Sequence, residues 1–130
     1  MIILTIRTDK PEAELGIYED NQELVGLVWE AHRTLTDTIH SKIKELLESQ
    51  NISWDEIEAI VVFKGPGSFT GLRIGMSVAN ALAYSLSAPI VSQDSDDWVA
   101  TGIARILEGK DEKIAVPNYG AEPNITKPKK

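Results

Sequence analysis

Between Ala59 and Ala83 the sequence makes three different backbone demands in succession, and few folds meet all of them. Ala59-Ile60-Val61-Val62-Phe63 is an apolar run of strand length. Lys64-Gly65-Pro66-Gly67-Ser68 interrupts it with the residues that turns require. From there small residues return every four positions, at Gly67, Gly71, Gly75, Ala79 and Ala83. On a helix that spacing draws one ridge without bulk, inclined slightly to the axis. An interior glycine costs about 1 kcal/mol relative to alanine, so two of them imply that another backbone comes close. Strand, glycine turn and small-residue helix leave one question open: whether the turn and helix receive a phosphate or another protein.

The flanking sequence supplies the rest of an α/β domain. Residues 2–6 read as a buried strand, Leu15–Tyr18 as a second and Glu23–Trp29 as a third, with Asp9-Lys10-Pro11 and Glu19-Asp20-Asn21 as turns between them. Leu35, Ile39, Ile43, Leu46 and Leu47 then change the period to a helical one over 35–50, and Gln50-Asn51 is a stop because Asn tolerates the left-handed conformation. Ser53-Trp54-Asp55-Glu56 has capping-box form. A strand at 59–63, a helix at 68–87 and a strand at 88–92 follow, then a helix from Asp94 to Leu107 capped by Asp94, Ser95 or Asp96. The order β-β-β-α-β-α-β-α predicts a mixed five-stranded sheet, an antiparallel meander beside parallel strands joined by helical crossovers. Residues 1–110 form one lobe on this reading and 111–130 an extended Pro- and Lys-rich tail, with Lys113–Pro117 as a last extended piece.

A second stripe on the 68–87 helix, Leu72, Met76, Val78, Leu82 and Leu86, leaves it apolar nearly all round; Arg73 is its one charge between Gly71 and Leu86, and Asn80 its most polar companion. Such a helix needs cover on two sides. The sheet supplies one. The first helix supplies part of the other, and either the rest of the domain or a second protein completes it. A chain of 130 residues has little material to spare, which favours the partner. Met76 with Leu72 and Leu35 or Ile39 would suit an adaptable apolar patch.

Catalytic templates do not fit the turn. A Walker A loop needs Gly-Lys-Ser/Thr after its spacer, whereas Lys64 precedes the glycines. The sequence near residue 90 is Ile90-Val91, with no acid where a dinucleotide fold needs one. Ser68 is not central in a G-x-S-x-G elbow and reads as a helix N-cap. An anion resting on Lys64, Gly65, Gly67 and Ser68 at the helix start is the alternative. His32 and His40 stand without a carboxylate set, and Asp94, Asp96 and Asp97 read as a capping cluster, so no metal site is expected. The absence of cysteine removes disulfides and thiol catalysis, and a formal charge of −7 argues against a duplex-coating protein. No apolar run approaches the ~20 residues of a membrane span, and the N-terminus lacks a signal h-region, so the cytoplasm is the expected location.

The run Lys64–Gly75 resembles the signature of the bacterial TsaB (YeaZ) family, and the resemblance extends more weakly over residues 1–107. It implies a single actin-like, ribonuclease H-like lobe and a role in making threonylcarbamoyladenosine in tRNA. It also implies a non-catalytic subunit that pairs with a TsaD-like catalytic subunit through helices 35–50 and 68–87. Carried over, the partner-binding residues would be Leu35, Ile39, Ile43, Phe69, Gly71, Leu72, Arg73, Gly75, Met76, Ala79, Asn80 and Ala83. No cofactor of its own is implied, with ATP or ADP arriving only through the partner; a TsaE-like ATPase is a further partner, and tRNA is met indirectly. Two departures stand out. Arg7 occupies the strand-one position where actin-like relatives carry an acid, and about 20 residues follow Leu107 where the family has a second lobe. The competing expectations are a stand-alone nucleotide-binding hydrolase or peptidase-like enzyme, and a self-assembling homodimer.

Overall fold

The central strand is the N-terminal one. Ile2–Arg7 (β1) pairs antiparallel with Glu12–Glu19 (β2) and parallel with Ala59–Phe63 (β4). Gln22–Glu30 (β3) extends the antiparallel side and Ile90–Gln93 (β5) the parallel side, for the order β3-β2-β1-β4-β5. This is the expected mixed sheet of five strands, seen in a computed structural model that describes residues 1–119. The proposed tail at 120–130 lies outside the described residues.

The helices divide the sheet's two faces. Leu35–Ser49 (α1) and Phe69–Leu86 (α2) cover one face, where Leu4, Ile6, Leu15, Ile17, Ile60 and Val62 meet Ile39, Ile43, Leu47, Met76 and Ala79. Trp98–Leu107 (α3) covers the β4–β5 half of the other, packing Trp98, Ile103 and Ile106 on Ile3, Val61, Phe63 and Val91. The parallel strand β4 is covered on both sides, which is why it reads as an unbroken apolar run. The β2–β3 half of the second face carries no helix among the described residues, and there the strands alternate.

The local signals resolve well. Asn51 takes φ 54° just past α1, and Glu56 accepts the Ser53 backbone N–H at 2.8 Å in a capping box. One expectation needs correction: α3 starts at Trp98 with Asp97 at its N-cap, not at Asp94, Ser95 or Asp96. The reason is local competition, since the Ser95 hydroxyl donates to Asp97 Oδ1 at 2.6 Å and the segment before Trp98 forms a turn. Residues 111–119, expected to begin an extended tail, contain no strand and are tied back onto the lobe.

Candidate functional site

β1 ends at Arg7, and the glycine turn closes directly over the Thr8-Asp9 that follow it. The Ser68 N–H donates to the Asp9 carbonyl at 2.9 Å, and a β-carbon at Gly67 would lie 2.8 Å from the same oxygen. One turn along α2, a β-carbon at Gly71 would collide with the Thr8 carbonyl; at Gly75 it would collide with the Thr8 hydroxyl. That hydroxyl donates to the Gly71 carbonyl at 2.8 Å, and Thr8 is buried. Ala79 and Ala83 continue the ridge into the core under the sheet. The backbone that the ridge admits is therefore that of the chain's own first strand.

The same packing accounts for the turn's polar groups. The Lys64 N–H donates to the Gln93 carbonyl at 2.9 Å, and the Gly71 N–H donates to Ser68 Oγ at 3.3 Å, so Ser68 is the N-cap. Arg7, standing where the resemblance expects an acid, is engaged internally. Its Nε and Nη2 donate to the two Asp9 oxygens at 2.7 and 3.1 Å, and its Cζ lies 3.9 Å from the Phe63 ring centroid. The Asp9 hydrogen bond outweighs burial and holds the guanidinium above its ordinary pKa. Among the four residues considered for an anion, Lys64, Gly65, Gly67 and Ser68, the amides of Lys64 and Ser68 are thus already bonded within the chain.

Sequence reasoning missed the strap at 111–119. Glu112 accepts from the Ser92 N–H at 2.9 Å, the Ser92 hydroxyl at 2.7 Å and Arg105 Nη1 at 2.8 Å. Burial opposes its ionisation, but these three donors prevail and hold the carboxyl below its usual value. Asn80 then grips Ala115 with both ends of its amide, donating to the carbonyl at 2.9 Å and accepting from the N–H at 2.8 Å. The Asn118 N–H reaches the Lys64 carbonyl at 2.7 Å, and Tyr119 packs its ring 4.5 Å from Phe69. The one signal in the sequence was Asn80 itself, a lone amide in an apolar helix.

These contacts sort the residues named from the resemblance. Leu35, Ile39, Ile43, Leu72, Gly75, Met76, Ala79 and Ala83 are buried in the chain's own core. Gly71 and Asn80 are half-buried against Thr8 and Ala115. Phe69, 56% exposed, and Arg73, whose Cζ lies 5.4 Å from the Phe69 ring, remain at the surface. Beside them Ile74, Val78, Leu82 and Leu86 form a half-buried apolar stripe along α2, four residues apart. A groove of about 320 Å³ lined by Thr36, Thr70, Arg73, Ile74, Ser77 and Val78 runs between α1 and α2. A second of about 320 Å³ continues it past His32, Leu35 and Gly71. His40 stacks on Trp54 at 5.4 Å, and no group of three metal-ligating side chains occurs among the described residues. No helix among them is long and apolar enough to cross a membrane.

Comparison with known proteins agrees with this architecture. The family model "TsaD: tRNA N6-adenosine threonylcarbamoyltransferase" matches residues 28–110, which include α1, the turn, α2 and α3. The tRNA threonylcarbamoyladenosine biosynthesis protein TsaB of Buchnera aphidicola is 31% identical over 115 residues, 88% of this chain and 52% of that protein. A tRNA N6-adenosine threonylcarbamoyltransferase of Clostridioides difficile is 38% identical over 96 residues, 73% of this chain and 28% of that one. Among solved structures, YeaZ from Pseudomonas aeruginosa superposes with a TM-score of 0.67 at 22% identity, covering 72% of this chain and 43% of YeaZ. The chain spans about half the length of the TsaB relatives it matches. With the family model covering residues 28–110 and the turn built as described, the chain belongs to the TsaD family, with TsaB proteins among its relatives.

Proposed function

We propose that this chain is a non-catalytic subunit in the formation of threonylcarbamoyladenosine in tRNA, docking on a TsaD-like catalytic subunit through the outer edge of α1 and α2. The names of its relatives support the process. The observation that carries the docking surface is the stripe Ile74-Val78-Leu82-Leu86, half-buried beside the α1–α2 groove and flanked by exposed Phe69. Such a stripe resembles one side of a helix–helix seam. The buried residues of both helices hold the surface in shape; Phe69, Arg73, Ile74 and Val78 meet the partner. The non-catalytic role is supported by Arg7, paired with Asp9 at the strand end where the resemblance expects an acid.

Sedimentation of the chain with and without a TsaD-like subunit tests this. The expected result is a 1:1 complex that Ile74→Asp and Val78→Asp each abolish while the variants keep the parent's folded circular dichroism spectrum. A homodimer untouched by the catalytic subunit would replace the proposal with self-pairing of the same stripe. Micromolar ATP or ADP binding by the isolated chain, read by calorimetry, would return the stand-alone enzyme to favour.

A further inference from the structure

On the face of the sheet away from α1 and α2, three strands place their smallest residues side by side. Thr5 of β1 pairs with Gly16 of β2, and Gly16 pairs with Gly26 of β3. The row forms the floor of a trough of about 290 Å³. Its walls are the Tyr18 ring, Val28, Trp98 and Val99, and its rim is Glu14 and Glu23.

Two features of the floor point to a polar guest. Thr5 is 3% exposed and its hydroxyl makes no hydrogen bond among the described residues, yet it lines the trough. Its Oγ1 stands over Gly16, only 2.7 Å from where a β-carbon there would be. No buried side-chain oxygen among the described residues lacks a partner, so this hydroxyl is open to the trough, where a ligand reaching the floor would bond it. The second feature is the Glu23 carboxylate, folded over Gly26 so that Oε2 lies 2.5 Å from the β-carbon position. Glu23 has no ion pair or hydrogen bond among the described residues, and Glu14 has only Lys10, at 4.0 Å across an exposed pair. Glu12 and Glu30, paired in register, add two more carboxylates to this face by strand alternation. Lys10 is the cation beside Glu14; Arg7, across from Glu14 in register and favoured by its charge, is otherwise held by Asp9 and Phe63.

We infer that this trough is a binding site for an alkylammonium group, with Glu23 and Glu14 receiving the cation, Thr5 Oγ1 accepting one of its N–H bonds at the floor, and Tyr18, Val28 and Val99 enclosing the aliphatic stem. Nitrogen donors suit it because an ammonium has three N–H groups and no acceptor, matching a rim of carboxylates and one hydroxyl. The apolar walls beside a charged rim suit a stem of several methylenes. The group could arrive on a free diamine or on a lysine side chain of an extended segment.

The test is a two-dimensional amide titration of the full chain with 1,5-diaminopentane, with a doubly blocked lysine, and with 1-pentanol as the uncharged stem. The expected result is saturable shifts at the Gly16 and Gly26 amides with an amine and none with the alcohol. Tighter binding of the diamine would identify a free-amine site, and tighter binding of blocked lysine a peptide site. Glu23→Gln should weaken binding by about tenfold or more, the loss of one charge-assisted bond. Thr5→Val, of the same shape, should weaken it by a smaller factor, with an otherwise unchanged spectrum as the check on folding. Shifts that never saturate, that match those caused by sodium chloride, or that survive Glu23→Gln unchanged would overturn the assignment.

Discussion

Gly75→Ala is the substitution that separates an inward-facing ridge from one kept for a partner. A β-carbon at Gly75 would overlap the Thr8 hydroxyl and stand 3.0 Å from Thr8 Cβ and Cγ2. Thr8 cannot swing clear cheaply, because it is 2% exposed and its hydroxyl is bonded to the Gly71 carbonyl. Replacing an interior helical glycine by alanine would by itself stabilise by about 1 kcal/mol. Against that, overpacking a tight contact costs about 1–3 kcal/mol, and displacing the Thr8 hydroxyl from its acceptor costs about 1–3 kcal/mol more. The balance is a net loss of about 1–5 kcal/mol, or a melting point lower by about 4–20 °C for a domain of this size.

The partner substitution Thr8→Ala removes the colliding oxygen and methyl, so the pair should be strongly non-additive. Thr8→Ala alone should destabilise by about 1–2 kcal/mol through its lost bond and contacts. In its background Gly75→Ala should cost little or become favourable, a coupling of about 2 kcal/mol or more. Urea unfolding of the four proteins with a common slope measures this directly. If Gly75→Ala is as stable as the parent, or if the two losses simply add, the ridge does not close on Thr8 and the reasoning fails.

Glu112→Gln should destabilise the lobe by about 1–3 kcal/mol at neutral pH, because three donors lose their anionic acceptor. The folded-state pKa of Glu112 is depressed, so its stabilisation is complete above the ordinary glutamate range and drains away as pH falls through that range to the lower folded value. The variant's unfolding midpoint should therefore fall less steeply with acid than the parent's; Asp111, shifted the same way, leaves a residual slope. Parallel acid limbs would refute the assignment. Asn80→Leu should release the strap at Ala115, raising amide exchange at Ala115 and Asn118 while β1 and β4 amides stay protected; unchanged exchange at both would show that the strap is held elsewhere. Ser68→Ala should cost about 1 kcal/mol as a lost N-cap, read by thermal melting, and a neutral effect would place the helix start elsewhere.

How much could be read in advance varied with the range of the interaction. β4 at 59–63 and the order of all eight elements followed from apolar runs and period changes, because strands and helices impose those periods locally. The caps at Ser68 and Asn51 were legible for the same reason, each resting on bonds or backbone freedom within a few residues. The helix α3 start was misplaced by up to four residues because several acids compete for one cap. Most of the candidate surface was legible only as a list of apolar residues. Leu72, Met76 and Ala79 do not say in sequence whether they face a sheet of the same chain or another molecule.

The sequence by itself determined that the chain folds as a mixed sheet with helical crossovers, that the 68–87 helix must be approached closely along its glycines, and that the 64–75 signature joins it to a known family. Those are properties of spacing, and spacing is fully written in the chain. Only the tertiary structure decided what does the approaching. Thr8 lies more than 60 residues from Gly71 and Gly75, and nothing local couples them, yet the parallel pairing of β1 with β4 sets Thr8 under that ridge. The antiparallel pairing of β1, β2 and β3 places Thr5 beside Gly16 and Gly26, so the trough exists because three strands share a register, not because any one segment encodes it.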